Sequence, residues 1–306
     1  MVRASTMSMF PLGLLTAALR KRTAPAVAFT DVVLDDRLMQ RMTAIATATA
    51  NATKRRAPFR NLLLYGTPGT GKTMVAERLA KAVGLDYAVM SGGDVVPLGK
   101  NAVSELHALF DWARASPHGV LLLIDEADAF LRHRDSAGMS EFMRSALNAV
   151  LARTGTQSYK IMLVLVTNRP DDLDEAVMDR MDDVVEFALP EAAQRTAMLQ
   201  LYLRSYLPQA AELRRGQSAA LAVEHKGLTS EVWAKLVKAT HGFSGREMAK
   251  LMAAVQAVVY GREGKLVMTA EDLVTMALQK QREHDNKANG FGPSVRSRTN
   301  PAFESR

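Results

Sequence analysis

The stretch YGTPGTGKTM, Tyr65 to Met74, follows directly on the apolar run Leu62-Leu63-Leu64 and carries three glycines in ten residues. Gly66 to Thr73 fits G-x-x-x-x-G-K-[ST] at every fixed position. Glycine lets successive backbone N–H groups turn inward as a nest for phosphate oxygens, and a helix starting at Lys72 adds the partial positive charge of its N-terminus. Lys72 is then placed to reach the β- and γ-phosphates of a nucleotide, and the Thr73 hydroxyl to ligate Mg²⁺. Gly66, Thr67, Pro68, Gly69, Thr70, Gly71 and Met74 complete the candidate loop. An ordinary glycine-rich turn between a strand and a helix has the same composition, so the surroundings decide.

From residue 60 onward, short apolar runs alternate with segments of helical period, which predicts an α/β fold with a mostly parallel sheet. The expected strands are NLLLY (61–65), LDYAVM (85–90), GVLLLID (119–125), KIMLVLVTN (160–168) and DVVEFAL (183–189). Between them the helical period predicts helices over 72–83, 103–115, 139–153 and 191–206. Leu106, Leu109, Phe110 and Ala113, for example, fall at i, i+3, i+4 and i+7. After Leu207-Pro208 only helical patterns are visible, at 230–240, 245–259 and 269–282. The expected organisation is a basic segment over 1–30, a P-loop core over 31–206, a small helical domain over 207–283 and a disordered tail over 284–306.

Further candidates follow from where polar residues end apolar strands. Asp125 closes LLLID and is placed to bind Mg²⁺ or its water shell. Glu126, next to it, can polarise a water for in-line attack on the γ-phosphorus, which points to hydrolysis rather than transfer to a second substrate. Asp128 reads as a solvated acidic loop end with a capping role. Asn168 follows the fourth strand at the edge where open α/β sheets bind ligands, and its amide suits both the water and the γ-phosphate. Arg180 is the only base among six acids between Asp172 and Asp183. It either pairs with those carboxylates or reaches the nucleotide of a neighbouring subunit. Ser244 and Glu247 form a capping box, and Arg246 lies in the same first turn, where a cation is mildly unfavourable. That placement suits a contact with the γ-phosphate from the helical domain.

Composition narrows the classes. The 306 residues are 48% hydrophobic, enough for a sizeable core, and contain no cysteine, which excludes disulfides and thiolate metal sites. The formal charge of +7 suits acidic partners, but it is concentrated. Arg3, Arg20, Lys21 and Arg22 precede the first acid, Asp31, and a second knot sits at Lys54-Arg55-Arg56. The acid-free start has the composition of a mitochondrial transit peptide, or else forms a short amphipathic helix. No groove-reading helix or aromatic-basic motif supports a direct nucleic-acid contact. The only Asn-Lys pair, at 286–287, lacks the aspartate that would read guanine, which disfavours a GTPase.

Taken in order, these elements resemble the AAA+ ATPases, where they are Walker A (Lys72, Thr73), Walker B (Asp125, Glu126), sensor 1 (Asn168), the arginine finger (Arg180) and sensor 2 (Arg246). More narrowly, DYAVMSGGDVVPLGK (86–100), LLLIDEADAFLR (121–132), DRMDDVVEFALP (179–190) and SGREMAKL (244–251) resemble the mitochondrial ATPase family AAA domain-containing protein 3 group, from about residue 32 to about 280. The resemblance implies a P-loop NTPase core with a five-stranded sheet, a helical lid, ATP and Mg²⁺, and assembly into a homo-oligomeric ring, six subunits being the family expectation. It also implies the mitochondrial inner membrane with the ATPase facing the matrix, and partners in membrane or nucleoid organisation. A cytoplasmic location follows if the N-terminus neither targets nor anchors.

Two features depart from the pattern. Members of the group carry a coiled coil and a membrane segment ahead of the ATPase domain, whereas about thirty residues precede the matching region here, as expected of a fragment or of a divergent soluble member. The segment between Met90 and Leu109, where protein-threading relatives place a pore aromatic, has none and offers Val96, Pro97 and Leu98 instead. A nucleotide-gated scaffold with little turnover and a clamp-loader-type DNA-associated ATPase are the alternatives to a remodelling ATPase.

Overall fold

A computed structural model describes residues 17–19, 29, 32–135, 139–212 and 222–288. The elements are β1 (Ala17–Leu19), α1 (Asp36–Arg55), β2 (Leu62–Gly66), α2 (Lys72–Val83), β3 (Asp86–Ser91), α3 (Ala102–Ala115), β4 (Val120–Asp125), α4 (Glu141–Thr154), β5 (Ile161–Thr167), α5 (Glu175–Met178), β6 (Asp183–Phe187) and α6 (Ala192–Tyr206). They continue with β7 (Glu224–Lys226), α7 (Ser230–Ala239), α8 (Gly245–Tyr260), β8 (Val267–Thr269) and α9 (Ala270–Ala288). The chain divides into two compact units, 1–188 and 189–306.

In the first unit the sheet order is β1-β3-β4-β5-β2-β6, parallel throughout except for β1 against β3. The five expected parallel strands are all present. Their side chains alternate between two cores, which is why each strand reads as a continuous apolar run. Leu63, Leu122, Ile124, Leu163 and Leu165 face α3 and α4, where Leu106, Phe110, Leu147 and Val150 meet them. Leu62, Leu64, Leu121, Leu123 and Val164 face α1 and α2, where Met42, Val75 and Leu79 are fully buried. Each such side chain contributes about 1.5–3 kcal/mol by leaving water.

Two elements of this unit differ from expectation. Residues 17–19 add an antiparallel edge strand instead of a helix; most of the basic segment 1–30, with the targeting signal expected there, lies outside the described residues. The 20-residue α1 was not expected, because its Thr/Ala-rich sequence is poor in large apolar residues overall. Its threonine hydroxyls are turned inward on the helix: Thr43, Thr47, Thr49 and Thr53 donate to the carbonyls of Met39, Thr43, Ile45 and Thr49 at 2.8–3.0 Å. Asp35 caps its N-terminus by accepting from the Leu38 N–H at 2.9 Å.

The second unit begins before α6, not after it. Leu199 and Leu203 of α6 are buried with Leu207, Leu236, Met248, Leu251, Met252 and Val255, so the helix belongs to this core. Two three-residue strands, β7 and β8, pair in parallel where only helices were expected. α9 runs on to Ala288, past the expected end at 283, and the rest of the tail lies outside the described residues.

The capping box of α8 forms as expected. Ser244 Oγ accepts from the Glu247 N–H at 3.4 Å, and Glu247 Oε2 accepts from the Ser244 N–H at 2.9 Å. Burial works to raise the Glu247 pKa, but the Ser244 N–H, the His284 ring 2.8 Å away and the Ser244 hydroxyl together hold it below the ordinary value. A carboxyl with a depressed folded pKa stabilises above its unfolded pKa, and that contribution is lost as pH falls through the folded value. Thermal unfolding of this unit is therefore expected to steepen its fall below about pH 4. Glu247→Gln should flatten that acid limb, and Ser244→Ala should cost about 1 kcal/mol at neutral pH.

Candidate functional site

β2 lies between β5 and β6, with Tyr65 opposite Thr167, and β5 lies beside β4, with Ile124 opposite Leu165. Because all four strands are parallel, the chain leaves β2, β4 and β5 at one edge of the sheet. The P-loop, Asp125, Glu126 and Asn168, singled out by the sequence, lie at or just after the ends of those three strands.

The loop after β2 turns on Gly66 (φ 135°), Gly69 (φ 81°) and Gly71 (φ 97°), all in the region that favours glycine. Gly71 precedes α2 in the left-handed conformation, and Gly84 ends it in the same way, donating its N–H to the Ala80 carbonyl at 3.1 Å. This bracketing fixes α2 at 72–83. Thr70 Oγ1 donates to the Thr67 carbonyl at 2.9 Å and holds the loop closed on itself.

Lys72 is buried, and its ammonium donates to the carbonyls of Gly66 and Thr67 and to Asn168 Oδ1, each at 2.8 Å. Thr73 Oγ1 donates to Asp125 Oδ2 at 2.7 Å. The other Asp125 oxygen accepts the Glu126 N–H at 2.9 Å. Lys72, Thr73, Asp125 and Asn168 are thus brought together.

Glu126 stands next to them, exposed, with φ 52° and ψ 44°, an unusual conformation for a residue with a side chain. Its carbonyl accepts from Ala129 N–H at 2.9 Å, and a Cβ on Gly92 would come within 2.3 Å of that oxygen. Glycine at 92 is what allows β3 and the Glu126 turn to approach so closely. Ser91 Oγ donates to Glu126 Oε2 at 3.2 Å, a partner that no spacing rule in the sequence signals.

Asp128 is not a solvated loop end: its Oδ1 accepts the Thr167 hydroxyl at 2.6 Å. Arg180 is not paired with its acidic neighbours either. Its Nε donates to the Leu151 carbonyl at 3.3 Å and its Nη1 to the Ala176 carbonyl at 2.6 Å. Leu151 is in the last turn of α4, where carbonyls lack helical partners, so a guanidinium there satisfies an orphan acceptor and the helix dipole together. Arg246 lies in the second unit, exposed, two residues past the Ser244 cap. Of the expected pore residues, Val96 and Pro97 are exposed on a short 3-10 element, while Leu98 packs against the α3/α4 core.

The donor set fits Mg²⁺ bound together with a nucleotide. One hydroxyl and one carboxylate already in contact are hard oxygen ligands, and such a site leaves the remaining positions to phosphate oxygens and water. Among the described residues no cluster of three His, Cys, Asp or Glu could hold a metal alone.

Comparison with known proteins agrees with this geometry. The profile of the family described as ATPase family associated with various cellular activities (AAA) matches residues 62–189. ATPase family AAA domain-containing protein 3-A of Xenopus laevis is 44% identical over 239 residues, covering 78% of this chain and 40% of that protein. The ATPase family AAA domain-containing protein 3A homolog of Drosophila melanogaster is 43% identical over 270 residues, covering 88% and 44%. The chain therefore spans less than half the length of these relatives. The FIGL-1 AAA domain, solved in complex with ADP, superposes with a TM-score of 0.67 at 20% identity, over 94% of this chain and 97% of that one, a likeness of fold.

Proposed function

Because this chain carries a domain of the AAA ATPase family with its P-loop NTPase fold, we propose that it binds ATP and hydrolyses the β–γ phosphoanhydride bond in sites completed between copies of a ring. The observation that carries this is the meeting of Lys72, Thr73, Asp125 and Asn168 at one sheet edge, with Glu126 exposed beside them. The ADP seen on the FIGL-1 domain supports the nucleotide part.

In this mechanism the loop N–H groups and the α2 N-terminus cradle the phosphates. Lys72 exchanges its present oxygen partners for those of the β- and γ-phosphates. Thr73 and Asp125 would hold Mg²⁺, which would supply neutralisation of phosphate charge. Glu126 takes a proton from water as the water oxygen bonds to the γ-phosphorus. The bond to the bridging oxygen breaks, and ADP leaves with that electron pair. Asn168, once Lys72 turns to phosphate, orients the water and the γ-phosphate through its amide. Arg180 from the adjacent subunit balances the charge that develops on the transferred group.

The work done with that energy is proposed to be remodelling of a membrane- or nucleoid-associated partner in mitochondria, at the inner membrane. The acid-free basic start of the chain and the similarity to the domain-containing protein 3 group support this setting. No described helix is long and apolar enough to cross a membrane.

The test is ATP hydrolysis per chain as a function of chain concentration. A specific rate that climbs with concentration is expected, because each site needs a neighbour. Arg180→Ala should abolish the climb, and mixing it with a Glu126→Gln chain should restore part of the rate, since the second chain still donates Arg180. Mixing controls for the loss of the Leu151 contact, because a merely destabilised chain is not rescued. Absence of turnover at every concentration would sink the ATPase reading and leave a nucleotide-binding scaffold.

A further inference from the structure

The turn after β4 and the turn after β5 are joined by one short hydrogen bond, and each of its ends sits beside a residue of the proposed reaction. Asp128 Oδ1 accepts from Thr167 Oγ1 at 2.6 Å, and the Thr167 side chain is fully buried. The same hydroxyl accepts the Arg169 N–H at 2.9 Å. Asn168 is therefore bracketed: the residue before it supplies the oxygen that fixes the backbone of the residue after it.

On the other side, Asp128 belongs to the 3-10 turn Ala127–Ala129 that opens on Glu126 and closes through the Ala129 N–H to the Glu126 carbonyl. Asp128 is two residues from the proposed base and one hydrogen bond from the turn that carries Asn168. The two loops are laced again farther on. Arg132 bridges Leu173, the His133 N–H reaches the Asp172 carbonyl at 3.0 Å, and the Asp174 N–H reaches that of Leu131 at 2.9 Å. Those contacts are backbone pairings farther out; the Asp128–Thr167 bond is the side-chain link nearest the reacting groups.

We propose that Asp128 and Thr167 are positioning residues: their hydrogen bond holds Glu126 and Asn168 in mutual register, so that one water is aligned between them for attack. This rests on the ATPase reading above. A hydroxyl-to-carboxylate bond is among the stronger kinds, and a buried hydroxyl without an acceptor is costly, so the pair resists being pulled apart. Alignment of a water is sensitive to displacements of about 1 Å, which lower rate without lowering ground-state affinity.

The experiment uses the full chain with wild type, Glu126→Gln, Asp128→Ala, Asp128→Asn, Thr167→Val, Thr167→Ser and the double Asp128→Ala/Thr167→Val. Turnover, KM for ATP, affinity for a fluorescent ADP and thermal midpoint are measured for each. Asp128→Ala and Thr167→Val are each expected to lower kcat by about 10- to 100-fold with KM and ADP affinity within about twofold of wild type. The double variant should be no slower than either single one, because both remove the same bond. Asp128→Asn, whose amide oxygen still accepts, and Thr167→Ser, which keeps the hydroxyl, should regain most of the rate.

A parallel fall of rate, ADP affinity and thermal midpoint would show that the pair merely holds the loops folded, and would overturn the proposal. So would normal turnover in Asp128→Ala while Glu126→Gln is inactive. A wild-type chain without turnover is a different result: it removes the ATPase reading, and this inference with it.

Discussion

Glu126→Gln is expected to lower steady-state ATP hydrolysis by about 10²- to 10⁴-fold while leaving nucleotide affinity nearly unchanged. The amide has the shape of the carboxylate and can still accept the Ser91 hydroxyl that Glu126 Oε2 now accepts at 3.2 Å. The side chain is exposed, so no core contact changes. What disappears is the basic oxygen that the proposed mechanism has take the water proton. Lys72, Thr73 and Asp125, to which the proposed mechanism gives the phosphates and the metal, keep their contacts. Phosphate release under saturating ATP gives the rate, and titration with a fluorescent ADP gives the affinity. A rate within about threefold of wild type would exclude Glu126 as the base.

Gly66→Ala is expected to be the most damaging single-atom change in the first unit. Gly66 is opposite Phe187 in the β2–β6 register, and a Cβ there would lie 2.2 Å from the Phe187 carbonyl oxygen and 2.9 Å from its carbon. Neither group is the free end of a flexible side chain, so a strand has to move. The φ of +135° adds backbone strain that any side chain suffers. Together these cost about 3–5 kcal/mol, a fall of roughly 10 °C in the thermal midpoint of a unit this size. Gly99→Ala is the control: its φ is +50°, but nothing lies within 4 Å of an added Cβ. It should cost only about 1 kcal/mol. Equal losses in the two variants would mean that conformation, not the approach of β6, makes Gly66 necessary.

The parallel sheet was legible because its strands are buried on both faces and so appear as unbroken apolar runs. α2 was legible to the residue because Gly71 and Gly84 mark its ends by their conformations. α1 was not, since its threonines look like loop residues until their hydroxyls are seen bonded to the helix itself. β7 and β8 are three residues each, too short for alternation to register. α6 was assigned to the wrong unit because amphipathic period shows that a helix has an apolar face but not which core that face meets. In the site, Lys72, Thr73, Asp125, Glu126 and Asn168 follow from motif spacing and strand ends. The partners of Asp128 and Arg180 do not, because Thr167 and Leu151 are 39 and 29 residues away and adjacent only through the sheet and α4.

Immobilising a lysine side chain costs about 2 kcal/mol of rotamer entropy. With its ammonium already held by Gly66, Thr67 and Asn168, Lys72 has lost that freedom during folding, before any ligand arrives. In the proposed mechanism, nucleotide association is then a substitution at a stationary cation, with phosphate oxygens displacing two carbonyls and an amide. Its heat reflects the difference between two sets of oxygens, and little of its entropy comes from this side chain.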